Sequence, residues 1–252
     1  MAWDDRIFRY CERGQDPAFW AEPLNAATNA AFIIAALVAA WQLARAPRRA
    51  TALAEPVLIA LVLVIGVGSF LFHTTATRWA SLADTGPIGL FMVAYLAYAL
   101  RRYFALPWIW VGAGLAIFMW TLHGAVGVHC RTGLLPVTEA AGGACLNGTA
   151  GYVPAWLALS GMAAALLVKR HPAGRTLAWA AALLLVSMTF RTIDLEVCPL
   201  ARVAGRAIGT HFLWHLLNAT LLYVLLLAAI RHGRGSEPAI ALPPPPSHKG
   251  AR

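Results

Sequence analysis

The sequence predicts an all-α membrane protein, a bundle of seven helices with the N-terminus outside and the C-terminus in the cytoplasm. Three observations carry that prediction. Of the 252 residues, 60% are hydrophobic and only 12% are charged, against about 45–50% apolar and about 25% charged in an average soluble domain. So little charge cannot clothe a globule in water, and so much apolar surface cannot stay unburied in a disordered chain. The apolar residues also fall into seven stretches near the ~20 residues a spanning helix needs. Finally, the 20 Lys and Arg lie between those stretches rather than in a cluster, which argues against a nucleic-acid partner and suits a polytopic membrane chain.

The stretches run from Pro23 to Leu43, Pro56 to Thr75, Leu82 to Leu100, Pro107 to Leu122, Tyr152 to Val168, Leu177 to Phe190 and Ile208 to Ile230. Pro23, Pro56, Pro107 and Pro154 each sit near a first turn, where a missing N–H costs nothing. Residues 1–22 are polar and of mixed charge, without the basic start and apolar core of a cleaved signal peptide. The hydrophobic domain therefore takes residues 1–231. Residues 232–252, with Pro243 to Pro246 in a row, read as a solvated, disordered cytoplasmic tail. No phosphate-binding glycine loop, internal repeat or nucleic-acid motif appears.

Orientation follows from the positive charges. With seven spans, the face bearing the N-terminus takes Arg6, Arg9, Arg13, Arg78, Arg131, Arg191, Arg202 and Arg206, and the other face takes the remaining twelve of the 20 Lys and Arg. Positive charge marks the cytoplasmic side, so the N-terminal face is expected to be exoplasmic. Cys11, Cys130, Cys145 and Cys198 all fall on that face, where disulfides are permitted. Cys130 and Cys145 share one loop, which leaves Cys11 and Cys198 as a second pair, but all three connectivities stay open.

Polar residues in or near membrane spans are costly and therefore candidates for function. They gather at one end of this bundle: Glu22, Asn25 and Asn29 open the first helix, and Ser69 and His73 close the second. Asp84 opens the third, Arg191 and Asp194 close the sixth as an expected i,i+3 ion pair, and His211 and His215 open the seventh. No comparable gathering is expected at the opposite end. The i,i+4 spacing of His211 and His215 stacks both imidazoles on one helix face. With His73 at the same depth they make a three-histidine set for Zn²⁺, with a fourth position open to water as catalytic zinc requires. Ser69, four residues before His73, shares its face and is a candidate oxyanion donor. Asp84 is the candidate proton acceptor.

The set Glu12, Phe19-Trp-Ala-Glu-Pro-Leu-Asn25, Ser69-xxx-His73, Asp84 and His211-xxx-His215 resembles the alkaline ceramidase family, seven-helix enzymes related to the adiponectin/progestin receptor group. The likeness spans about Tyr10 to Tyr223. It implies zinc on His73, His211 and His215, with Ser69 and Asp84 completing the catalytic group. It also implies a membrane lipid substrate, ceramide or another N-acyl lipid, cleaved to a sphingoid base and a fatty acid. No protein partner is implied. Animal members also carry Ca²⁺ in the N-terminal segment. Glu12 and Glu22 match two of its carboxylates and Asp16 is a candidate third, whereas Arg9 and Gly14 stand where the pattern has an acid and an amide. The resemblance also favours pairing Cys11 with Cys198. The alternative is a zinc-containing seven-helix receptor or scaffold with little turnover. Asp84 beside an open coordination position is the feature that separates the two.

Overall fold

The computed structural model describes residues 2–46, 53–130, 137–138 and 144–233. Among these residues, seven helical segments are long and apolar enough to cross a membrane: α1 Pro23–Arg45, α2 Ala54–Thr75, α3 Arg78–Arg102, α4 Trp108–Val126, α5 Val153–Val168 taken together with the helical turns from Leu146, α6 Ala173–Ile193 and α7 His211–His232. A 3₁₀ segment, Leu146–Tyr152, leads into α5. A helix satisfies its backbone within itself, the condition for crossing hydrocarbon. The seams between helices are lined by Ala36, Ala39, Ala99, Ala173, Ala180, Ala228 and Ala229, all fully buried or nearly so, because small side chains let membrane helices approach closely. Trp108, Ile109, Trp120, Val168 and Trp179 point outward, as lipid-facing side chains do. Helix α4 is the most peripheral, with only Val111 and Phe118 buried.

Several helices outrun their apolar stretches. Helix α3 begins at Arg78, where Thr77 Oγ1 accepts the Ala80 N–H at 3.4 Å, rather than at Leu82. Helix α6 likewise begins at Ala173 and continues to Ile193. Terminal turns reach the headgroup layer and carry polar residues without penalty, so apolarity alone trims them. The consequence is functional: Asp84 lies about 9 Å inside α3 at 1.5 Å per residue, not at its start. Helix α7 runs to His232, so the helical domain extends one residue past its expected end. The proline-rich segment lies outside the described residues.

Two residues bring α2 and α3 together. Pro87, inside α3, has no N–H for the Ala83 carbonyl one turn back. Gly68 of α2 packs there; a Cβ on it would overlap the Ala83 carbonyl and press on the Asp84 amide. That contact sets Ser69 and His73 beside Asp84.

The opposite end of the bundle also holds a buried polar group, contrary to expectation. Glu55 is 2% exposed and accepts from Tyr98 Oη at 3.2 Å; Tyr98 also approaches the Ala229 carbonyl at 3.0 Å, and Tyr95 and Tyr103 hydroxyls lie 3.4 Å apart. The three phenols come from positions inside or just after an apolar helix, so a search for ionisable residues near the spans passes over them.

Outside the helices, the N-terminal segment folds across the end of α2 and the start of α3. Ile7 N donates to Ala76 O at 2.7 Å, Arg78 N to Asp5 O at 3.1 Å and Trp79 N to Trp3 O at 3.2 Å. Two short hairpins pair Val137–Thr138 with Ala144–Cys145 and Arg202–Val203 with Arg206–Ala207. Cys11 and Cys198 stand at disulfide distance, Cα–Cα 5.5 Å, as do Cys130 and Cys145 at 4.8 Å.

Overpacking a filled seam costs about 1–3 kcal/mol. Gly68→Leu is therefore expected to lower the melting temperature in detergent, whereas Gly89→Ala, whose Cβ meets nothing within 4 Å, should be neutral or slightly stabilising. Equal melting of the two variants would contradict the close α2–α3 approach.

Candidate metal centre

His73, near the end of α2, and His211 and His215, in the first turns of α7, are each 1% exposed. One ligand nitrogen from each lies within 4.8 Å of the other two. An imidazole that binds a metal commonly gives its second nitrogen to a hydrogen bond that fixes the ring. Two of the three rings are held in that way. His73 Nδ1 donates to Glu22 Oε2 at 2.5 Å, and its Nε2 is buried with no hydrogen-bond partner. His215 Nδ1 meets Thr28 Oγ1 at 3.0 Å. The Thr28 proton goes to the Leu24 carbonyl at 2.8 Å, so the hydroxyl accepts from His215 and Nε2 keeps its lone pair. His211 also carries an unpartnered buried nitrogen, Nδ1. Orphaned imidazole nitrogens in a dry cluster are what a transition metal satisfies, so the residues fit a metal ion.

The backbone that presents His211 is fixed by Asp194. Its Oδ1 accepts the N–H groups of Thr210 at 2.7 Å and His211 at 2.9 Å, capping α7, and its Oδ2 accepts the Cys11 N–H at 2.9 Å. Gly209 makes this possible: its φ is +59°, and a Cβ would collide with Asp194 and Cys11. Burial pushes the Asp194 carboxyl up from its ordinary value against the pull of the three N–H groups. The expected Arg191–Asp194 pair does not form. Asp194 is taken by backbone donors, and Arg191 turns away to donate to Tyr10 Oη at 3.0 Å while its guanidinium lies over the rings of Tyr10, Tyr152 and Trp214. Tyr10 in turn stacks on His211, centroids 3.7 Å apart.

Asp84 and Ser69 are 8% and 3% exposed and hydrogen-bond through their side chains. Both line one cavity with His211 and His215, and Arg9 and Arg191 enter the same cavity with buried Nε atoms that have no partner. From that polar end the cavity passes Phe91 and Tyr95 on α3 and Leu221 and Leu225 on α7. Measured along the helices from Asp84 and His211, it reaches about 16–21 Å at 1.5 Å per residue. A polar head and a long apolar tail would both find their surroundings there.

The chain matches the Ceramidase family over residues 9–237. It belongs to that family. As a ceramidase it is a ceramide-hydrolysing amidohydrolase whose substrate is a lipid of the ceramide kind. No curated protein and no solved structure matched the chain.

In the N-terminal segment of this ceramidase, the three carboxylates expected for Ca²⁺ all have partners within the chain. Glu12 spends both oxygens on the N–H groups of Leu24 and Asn25, each at 2.8 Å, so it is Glu12 and not Glu22 that caps α1. Burial pushes its carboxyl up, against those two bonds. Asp16 Oδ1 caps the Ala18 N–H at 2.8 Å. Glu22 is shared among His73, Asn25 Nδ2 at 3.0 Å and Arg13 Nε at 2.5 Å. Burial raises the Glu22 carboxyl, but His73, Arg13 and Asn25 together hold it below its ordinary value. Removing one partner of a buried pair such as Arg13–Glu22 costs about 3–5 kcal/mol. Arg13, Tyr10 and Thr28 were not singled out by sequence reasoning, and Arg191 was singled out only as a partner for Asp194. The signal that could have found Arg13 is a charged residue two positions from a cysteine beside the membrane end; for Thr28, its i+3 spacing from Asn25 on the polar face of α1.

Losing a hydrogen-bond partner of a ligating histidine typically weakens metal binding about 10–100-fold. Glu22→Gln is expected to do so, read by competition with a chelator. Unchanged affinity would mean that Glu22 does not orient His73.

Proposed function

We propose that the chain is a zinc-dependent intramembrane amidohydrolase that cleaves the N-acyl amide of ceramide or a related N-acyl lipid to a sphingoid base and a fatty acid. The observation that carries the reading is one cavity lined by His211, His215, Asp84 and Ser69 at its polar end and by apolar side chains beyond, with His73 completing the histidine cluster. Zn²⁺ held by His73, His211 and His215 would polarise the amide carbonyl and bring a water's pKa to about 7.

The chain's own residues do the rest. The acyl tail lies along Phe91 and Leu225, which places its amide beside Asp84. The Asp84 carboxylate takes a proton from water as the water oxygen bonds the carbonyl carbon. Ser69, bonded to Asp84, orients that carboxylate; once Asp84 has taken the proton, the single Ser69 hydroxyl proton turns to the carbonyl oxygen, where charge has built up. Asp84 then passes the proton to the amide nitrogen, the C–N bond breaks, and a free amine and a fatty acid leave. Arg9 and Arg191, with unpartnered Nε–H groups in the cavity, donate to oxygens of the lipid head. The count of positive charges supports an exoplasmic or periplasmic position for this end of the bundle. The lipid would then enter from the outer leaflet.

Purified protein incubated with a panel of ceramides and other N-acyl lipids is expected to release fatty acid, detected by mass spectrometry. Asp84→Asn should lower turnover by at least ~10²-fold while leaving bound metal in place. Full turnover in Asp84→Asn would remove its role as base. A wild-type protein with bound metal and no release from any lipid would favour a receptor or scaffold.

A further inference from the structure

The oxygen atoms around residues 12–22 enclose a cation that the chain itself supplies. Arg13 is 3% exposed, and each of its five N–H donors points at an oxygen. Nε donates to Glu22 Oε1 at 2.5 Å; Nη1 donates to the Asp16 carbonyl at 3.1 Å and the Ala18 carbonyl at 2.9 Å; Nη2 donates to the His73 carbonyl at 2.8 Å and the Thr74 carbonyl at 3.3 Å. One carboxylate and four carbonyls are the ligand types that Ca²⁺ would collect, and Ca²⁺ needs six to eight of them. Here the planar guanidinium has taken them, in the fork geometry that suits it. The remaining acids are occupied: Glu12 by two backbone N–H groups and Asp16 Oδ1 by a third.

We propose that the Arg13 guanidinium is a built-in replacement for a divalent cation in the N-terminal segment, and that it is a positioning residue for the metal centre. It acts along two routes that converge on His73. Through Glu22 Oε1 it fixes the carboxylate whose Oε2 holds His73 Nδ1. Through Nη2 it holds the His73 carbonyl itself. Side chain and backbone of one candidate ligand are thus tied to one internal charge, and the N-terminal segment is locked over the end of α2 without Ca²⁺. The proposal rests on the reading of the three histidines as a metal site, and its two halves are tested separately.

The test begins with wild-type protein in detergent, in which zinc content, zinc affinity by chelator competition and melting temperature are measured with Ca²⁺ from zero to millimolar and with a calcium chelator. The expected result is no change in melting or zinc affinity and no stoichiometric calcium by metal analysis. A Ca²⁺-dependent rise in melting temperature, or one calcium per chain, would overturn the built-in cation. Arg13→Met, which keeps the length and removes the charge, is expected to weaken zinc binding tenfold or more, and Arg13→Lys to recover part of that loss. Wild-type zinc affinity in Arg13→Met, even with a lower melting temperature, would reduce Arg13 to a purely structural residue. Should Arg13→Met fail to fold, Arg13→Lys decides: zinc affinity unchanged from wild type, although Lys cannot make the forked contacts, also overturns the positioning role. Wild-type protein that binds no zinc would sink the metal-centre reading and the positioning role with it, while the calcium titration would still decide the cation.

Discussion

The contact between Glu22 Oε2 and His73 Nδ1 is the interaction on which the rest of the site depends. An imidazole inside an apolar bundle is useful to a metal only if one nitrogen is held and the other left free. Glu22 does the holding, and it is itself buried, so its charge must be balanced nearby. Arg13 provides the balance, and its forked guanidinium binds four backbone carbonyls as well. A buried ion pair is a weak source of net stability. Its value here is geometric: it makes one end of α2, the start of α1 and the N-terminal segment into a single rigid piece.

The same logic recurs on the other side of the cavity. Asp194 holds the His211 backbone and the Cys11 amide, the Cys11–Cys198 pair brackets the same contact, and Thr28 orients His215. Each candidate ligand is therefore positioned by a polar group from a different element. The close approach at Gly68 and Pro87 adds Asp84 to the group. Around these few polar contacts the bundle is apolar, and that low-dielectric setting is where fixed charges and dipoles act most strongly on a reacting carbonyl.

Much of this was legible in the sequence. Seven apolar stretches gave seven helices because a spanning helix must be apolar for its full membrane depth, a signal that few soluble folds imitate. His73, His211, His215, Ser69 and Asp84 stood out because each is polar where polarity is expensive. Helix ends were less legible, since the residues of α3 before Leu82 are polar and still helical. The partners of the polar groups were not legible at all. Arg191 was expected to pair with Asp194 three residues on, yet the two side chains leave the helix end toward different elements. Glu12 and Glu22 looked alike in sequence, and only three-dimensional packing separates the one that caps α1 from the one that holds His73. The tyrosines around Glu55 were hidden because an aromatic ring reads as apolar until its hydroxyl finds a carboxyl.

The central claim, that three imidazoles hold one zinc ion, is tested most directly by zinc K-edge X-ray absorption on the purified protein. The account predicts close to one zinc per chain, with imidazole ligands at about 2.0–2.1 Å that fall from three to two in His73→Ala. Absence of zinc from folded protein, or a shell of sulfur ligands at about 2.3 Å, would contradict it.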